Sequence, residues 1–410
     1  MIILGGVIVV FSHWRGFFLM ISAVAHTYQE NEAISKGKER SKVFWNQILA
    51  GIILILLGKF WLPFFPLWGI IDGWTHMGGW NWSSWTMFYL AETLDTLGLM
   101  LIISACLSRL LSKNSWHIKW QLQVLIYYVL GIVIIVISPY VQLGINSIAG
   151  IDLTVGENFR AFGYAFDKGI WEKILRVPLN WISGREAPLF PMLGSFFIGN
   201  GIGIILSQKQ PKKRHLGFLF IPALLCIIAG ACDFIILEKL ALDIGFHVHP
   251  RWFALVSIGL QSMVIMGFIL LIEFNPRINQ QRWLKGSRYF RRFGVFALTV
   301  FFLQTIEAIP RLLYGLIFRQ FDWGHRYMLN TPYTVLLLVT VMIIWSIFLY
   351  LRDREWHGYG SLEWYIRVLI QRKGTDHPND PLNLNGSLYD VEMVTFWPKN
   401  LEESLIPPTS

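Results

Sequence analysis

Long apolar stretches, each closed by a short polar segment, recur along this chain from its first residues to Trp345. The pattern predicts nine spans, at 1–26, 45–66, 86–111, 120–142, 187–206, 216–238, 251–274, 292–317 and 332–352. Each is long enough to cross about 30 Å of hydrocarbon as a helix, and a helix satisfies its own backbone hydrogen bonds where water is absent. His13, Trp14 and Arg15 interrupt the first run. The expected fold is an all-α polytopic membrane bundle over residues 1–352, followed by a tail at 353–410.

The polar segments supply the topology. Loop 27–44 holds Lys36, Lys38, Arg40 and Lys42; loop 112–119 holds Lys113 and Lys119; loop 207–215 holds Lys209, Lys212, Lys213 and Arg214. Loop 275–291 holds Arg277, Arg282, Lys285, Arg288 and Arg291, and the tail opens on Arg352, Asp353 and Arg354. These are alternate connections, so the positive-inside rule predicts an outer N-terminus and an inner C-terminus. Loop 67–85 then faces outward with Trp68, Trp74, Trp80, Trp82 and Trp85, as an aromatic belt or the lining of an entry cleft. The long loop 143–186 would cap the same face, which also carries the sequon Asn81-Trp82-Ser83.

Composition agrees. Of 410 residues, 54% are hydrophobic and 15% charged, well below the charge of soluble domains, and mean hydropathy is +0.48. The net charge of +9 sits in short inner loops, which fits the membrane rule and removes nucleic acid as an expected partner. Cys106, Cys226 and Cys232 all lie in apolar runs with no metal-ligand spacing, so neither a disulfide framework nor a metal site is expected. The first charge is Arg15, and the N-terminal run reads as a retained span, not a cleaved signal. In the tail, 361–373 places Leu362, Tyr365, Ile366 and Leu369 on one helical face beside Arg367, Arg372 and Lys373, which suits a helix on the inner interface. Residues 374–410, rich in Pro, Asn and Gly, are expected to be loosely ordered.

Ionisable residues inside spans mark cavities or partners. Glu92 and Asp95 fall in the third span, Asp233 in the sixth, and Glu307 and Arg311 in the eighth, all toward the outer ends. Glu92 and Asp95, three apart, could share a proton for acid–base chemistry. Glu307 and Arg311, four apart, could form an ion pair or clamp a substrate. Asp72, His76, His247, His249, Arg251, Asp322 and His325 adjoin in outer loops.

Several stretches resemble the transmembrane acyltransferase superfamily, notably heparan-α-glucosaminide N-acetyltransferase-like and YeiB-type proteins. Phe17-Phe18-Leu19-Met20-Ile21-Ser22 is similar to a Phe-rich family span, followed by a basic loop and by Val43-Phe44-Trp45 with an apolar run to Gly58. Glu92-Thr93-Leu94 before Gly98-Leu99 resembles the acidic start of the next span. Ala187-Pro188-Leu189-Phe190-Pro191-Met192-Leu193-Gly194, continuing to Ile198-Gly199, is similar to a Pro-x-Phe-Pro-x-x-Gly span. Gly360-Ser361-Leu362-Glu363-Trp364 with Arg367 resembles the YeiB-type tail, so the resemblance covers most of 14–370.

The resemblance implies transfer of an acetyl or other acyl group from acetyl-CoA or another acyl-CoA to a sugar or lipid-linked acceptor. Acyl transfer needs a base near the acceptor and a stabiliser for the oxyanion. His13 and His76 are the candidate bases, Glu92 a residue that orients one of them, and Asp95, Glu307 and Arg311 candidate substrate-binding residues. Family members begin with an Arg-Gly-containing span and, in the heparan enzymes, a loop bearing the catalytic histidine. No such segment precedes Phe17, so the expectation is a chain without those N-terminal spans, or one that has lost catalysis. Arg15-Gly16 with His26 matches the spacing of an Arg–ten residues–His motif in a related acyltransferase group, but loop charge runs this span the opposite way, and the match reads as coincidence. The rival readings are a transporter or flippase, against which stands the lack of an inverted repeat, and a non-catalytic scaffold. Expected partners are the bilayer, with the cell membrane as the expected one, the acceptor, and as an open alternative a second copy of the chain.

Overall fold

The computed structural model describes residues 14–64, 93–113, 119–148, 188–208, 213–237, 251–272, 280–303 and 331–371, with shorter pieces and single residues elsewhere. The helices in chain order are α1 (Trp14–Ser35), α2 (Arg40–Phe64), α3 (Thr93–Lys113), α4 (Trp120–Ile148), α5 (Leu189–Leu206), α6 (Lys213–Leu237) and α7 (Arg251–Ile272). They continue with α8 (Gln280–Val295), α9 (Ala297–Phe302), α10 (Thr331–Arg354) and α11 (Leu362–Gln371). Besides helices, the described residues hold one short antiparallel ladder, Phe321–Asp322 (β1) against Tyr327–Met328 (β2).

Among the described residues, seven helices are long and apolar enough to cross a membrane: α2 to α7 and α10. They match the second to seventh and the ninth expected spans. The first expected span differs: 1–13 lie outside the described residues, and α1 continues past 26 to Ser35. It ends in a Schellman turn, with Lys38 N–H donating to Ala33 O, Gly37 N–H to Ile34 O, and Gly37 at φ +84°. The expected loop 27–44 thereby shrinks to a four-residue turn before Arg40. The eighth expected span also differs, because the helix breaks at Phe296 between α8 and α9. The rest of 292–317 is mostly outside the described residues.

The chain forms two compact units, one of Met1–Phe60 with Thr86–Phe274 and one of Trp61–Trp85 with Asn275–Ser410. In the first, α5 is the central post: all its residues but Phe190 are buried. Glycines set how close its neighbours come. A Cβ on Gly194 would fall 2.7 Å from Gly131 O of α4, and one on Gly203 2.8 Å from Val24 O of α1; Gly199 meets Met20 O. In the bilayer, where apolar contact alone gives little drive, such close backbone approach is what holds helices together. The same pattern joins α2 to α3, where Gly51 faces Gly98 O at 2.6 Å, and α6 to α7, where Gly259 faces Ala223 O at 2.6 Å.

These contacts also fix relative directions. Residues 199 and 203 of α5 meet 20–23 and 24–27 of α1, so the two run parallel. By contrast, 194 and 201 meet 131–135 and 124–128 of α4, so α4 is antiparallel to α5; the contacts of α2 with α3 and of α6 with α7 are likewise antiparallel. A chain that reverses at every connection gives this arrangement. The outward faces are apolar at helical spacing: Leu122, Leu125, Val129, Val133 and Val136 on α4, and Phe218, Ile221, Leu225 and Ile228 on α6, are exposed. Stripes of that size call for lipid.

In the second unit, Phe296 is fully buried with Leu349 of α10 and with Leu382, Leu384 and Leu388 of the tail. Phe296 stands between α8 and α9, at their junction. Trp61 donates its indole N–H to Phe302 O at 2.7 Å. Ser361 caps α11 by accepting from Trp364 N–H at 3.2 Å. A helix at the expected 361–373 runs as α11 from Leu362 to Gln371, with Tyr365, Val368 and Leu369 exposed. Of the segment 374–410, Leu382, Leu384 and Leu388 are described, and they are packed rather than loose.

Candidate functional site

Lys59 is the single charge between Lys42 and Asp72, one turn from the end of α2. Its ammonium lies 2.7 Å from the Asp95 carboxylate, with the two side chains 7% and 0% exposed. Asp95 is in the first turn of α3, where the positive end of the helix dipole favours an anion. Thr93 and Thr96 beside it are fully buried. The sequence makes room for the pair: a Cβ at Gly58 would overlap the Asp95 carboxylate. Two rings flank the ammonium, Trp181 at 5.4 Å and Phe88 at 6.0 Å from their centroids. The Trp181 indole N–H is buried and meets no hydrogen-bond partner among the described residues.

A buried pair of this kind holds both charges only because each stabilises the other; either alone would carry an uncompensated desolvation cost. Chemically it offers a cation for a developing negative charge and a carboxylate for a proton, inside an aromatic wall. An ionisable pair within spans points to function before structure.

Further along the same helices a second polar layer ties the bundle together. Thr27 donates to Asn200 Oδ1 at 2.8 Å, and Asn200 Nδ2 donates to Ser104 Oγ at 2.8 Å, joining α1, α5 and α3. Glu30 accepts from Gln47 at 3.0 Å and from Ser108 at 2.8 Å, adding α2. On α3 these residues lie 9 to 13 positions beyond Asp95, or about 14–20 Å along the axis. At the junction of α6 and α7, Arg251 makes a two-armed contact with Asp233, one arm at 2.9 Å.

Of the six candidate site residues, Asp95 is described, and it joins Lys59. His13, His76, Glu92, Glu307 and Arg311 lie outside the described residues, so the expected Glu92–Asp95 and Glu307–Arg311 pairings do too. Arg15 and His26 stand eleven residues apart on α1, about 16 Å along its axis. Lys59 is the residue that sequence reasoning misses. Its signal is available: a lone Lys in an apolar run, next to a glycine, with a carboxylate at the opposite end of the following span.

Seven membrane-length apolar helices define the class, a helical multi-pass membrane protein. Comparison with known proteins finds no matching family model, no matching curated protein and no matching solved structure.

Proposed function

We propose that this protein is an integral membrane acyltransferase that moves an acetyl or other acyl group from acyl-CoA to a sugar or lipid-linked acceptor. The observation that carries the reading is the buried Lys59–Asp95 pair beside Trp181 and Phe88. Asp95 accepts the proton as the acceptor hydroxyl or amine attacks the thioester carbonyl, Lys59 stabilises the oxyanion, and collapse breaks the C–S bond and releases CoA as a thiolate that takes the proton back from Asp95, in a dry site where these effects are strong. The rings offer a face for the apolar side of a sugar. Support also comes from where the family-like segments lie. Phe17–Ser22 on α1 packs against the Pro188–Gly199 stretch of α5, and the segment after Glu92 carries Asp95. Nine spans with an outer N-terminus and an inner C-terminus place this pair in the outer half, and the basic inner loops receive the CoA phosphates.

The same pair favours one rival, since a charged pair inside spans also serves proton- or ion-coupled transport. Purified protein incubated with radiolabelled acetyl-CoA and a panel of sugars and lipid-linked sugars separates them. Acyl transfer predicts acceptor labelling that is lost in Asp95→Asn and in Lys59→Met, with thermal stabilisation by CoA exceeding that by ATP. Absence of both labelling and a CoA-dependent shift overturns the reading.

A further inference from the structure

The chain leaves α10 through a tight corner that folds back on the last turn of the helix. His357, Gly358 and Gly360 have φ of +45°, +76° and +71°, a run in which glycine carries most of the strain-free positions. Three bonds close the corner: Gly358 N–H donates to Arg352 O at 3.0 Å, Tyr359 N–H to Trp356 O at 2.8 Å, and Ser361 N–H to Gly358 O at 3.2 Å. It comes so near Arg352 that a Cβ on Gly360 would lie 3.2 Å from Nη2. Phe348 and Trp356, four residues before and after Arg352, hold their ring centroids 5.9 and 5.3 Å from the guanidinium carbon. The rings leave the hydrogen-bonding edge unmet. The side chain is half-buried, and its Nε is buried without an acceptor among the described residues. Glu363 and Tyr365 act on it through space alone, and both Glu363 oxygens accept from Thr299 instead. A second donor is orphaned beside it: the Trp364 indole N–H is buried with no acceptor, and its ring centroid lies 5.6 Å from that of Tyr359 in the same corner.

We propose that this corner is a binding site for a phosphate group, with Arg352 supplying the charge and Trp364 a second donor. Two buried donors without acceptors, one of them cationic, call for an anionic acceptor, because a buried N–H left unmade bears its desolvation cost uncompensated. A guanidinium presents its donors as a flat fork that fits phosphate oxygens two at a time. Position selects phosphate among anions. Arg352 lies at the end of the membrane-length run Val335–Arg354, at the depth where headgroup phosphates begin. The Trp356 and Tyr359 rings beside it are exposed, as rings at that layer are. The phosphate belongs to a lipid headgroup or to a soluble ester such as CoA, and the chemistry of recognition is the same for both. Every residue of the site is in the second unit, so it stands whether or not Lys59 and Asp95 transfer acyl groups.

The test treats the full chain, delipidated in detergent, with phenylglyoxal, which modifies guanidiniums, and reads the modified arginines by peptide mass spectrometry. Separate samples contain phosphatidylglycerol, diacylglycerol as a lipid without phosphate, CoA, or pantetheine as the phosphate-free part of CoA. Arg354, bonded to Tyr350 and about 200° round α10 from Arg352, is the internal control. Arg352 should react in the bare protein and be protected about tenfold by phosphatidylglycerol, by CoA or by both, and by neither phosphate-free counterpart. Whichever phosphate protects names the source. Trp364→Phe keeps a ring and loses the N–H, and should raise the concentration for half-protection about fivefold. The main measurement is made on the wild type, so a folding defect in a variant cannot mask it. An Arg352 that is unreactive in the bare protein, that neither phosphate protects, or that is protected no more than Arg354 overturns the proposal. An unchanged half-protection in a folded Trp364→Phe overturns the two-donor site.

Discussion

Removing one member of the Lys59–Asp95 pair should damage the protein more than removing both. The side chains are 7% and 0% exposed and meet at 2.7 Å, so solvent screens neither charge. Asp95→Asn keeps the shape and removes the ammonium's counter-charge at 2.7 Å; Lys59→Met keeps the length and removes the carboxylate's. Each single change should cost about 3–5 kcal/mol, since a buried charge loses its counter-charge. The double variant should recover most of that loss, because two desolvated charges are replaced by a neutral pair. The Arg251–Asp233 contact gives an internal contrast: its side chains are 25% and 11% exposed, so Asp233→Asn should cost less, about 1–2 kcal/mol. The assay is thermal denaturation in detergent followed by size-exclusion chromatography, with all variants heated identically so that midpoints are compared as operational stabilities. A double variant as unstable as the sum of the two singles would refute the coupling. Asp233→Asn proving as harmful as Asp95→Asn would refute the argument from burial.

Gly58→Ala should disrupt the same pair from the other side, because its methyl group would overlap the Asp95 carboxylate, whereas Gly267→Ala, in open space on α7, should be neutral or stabilising by up to about 1 kcal/mol; the same thermal assay separates them. The tail contact should depend on pH. Burial raises the Glu363 carboxyl above its ordinary value of 4.5, against the opposing hydrogen bonds from Thr299. The folded state therefore holds this proton more tightly than the unfolded chain. Its contribution is full below the unfolded value and is lost as pH rises through the raised folded value. Hydrogen exchange across Leu362–Gln371 should increase over that window in the wild type and not in Glu363→Gln. Finally, Lys212→Cys and Asn81→Cys should react with an impermeant thiol reagent from opposite sides of the membrane, and labelling from one side would refute the span order.

How much of this was legible in the sequence depends on what each segment had to advertise. The span at 187–206 announced itself as an apolar run and became α5. Its glycines are visible in the sequence, but not which neighbour each one faces. That depends on 199 and 203 pointing to α1 while 194 and 201 point to α4. Lys59 escaped because one cation does not lower the apolarity of a run enough to stand out. α8 escaped because its apolar and basic residues are interleaved at helical spacing, so no window is apolar enough to register and the stretch reads as a charged loop. The break at Phe296 was not legible at all, since the cluster its ring joins draws on α10 and on Leu382, Leu384 and Leu388 far along the chain.

The parallel seating of α1 on α5 has a consequence for synthesis. Thr27 and its partner Asn200 are separated by 173 residues. At 5–20 residues per second, roughly 10–35 s pass between translation of the two. For that interval α1 sits in or beside the insertion machinery with its glycine-receiving groove unfilled and a buried-to-be hydroxyl facing lipid. Helices α2, α3 and α4, with the connections between them, emerge while it waits. The pairing of α1 with α5 therefore cannot form in order of emergence, as that of α2 with α3 can. α1 must be held nearby until α5 arrives.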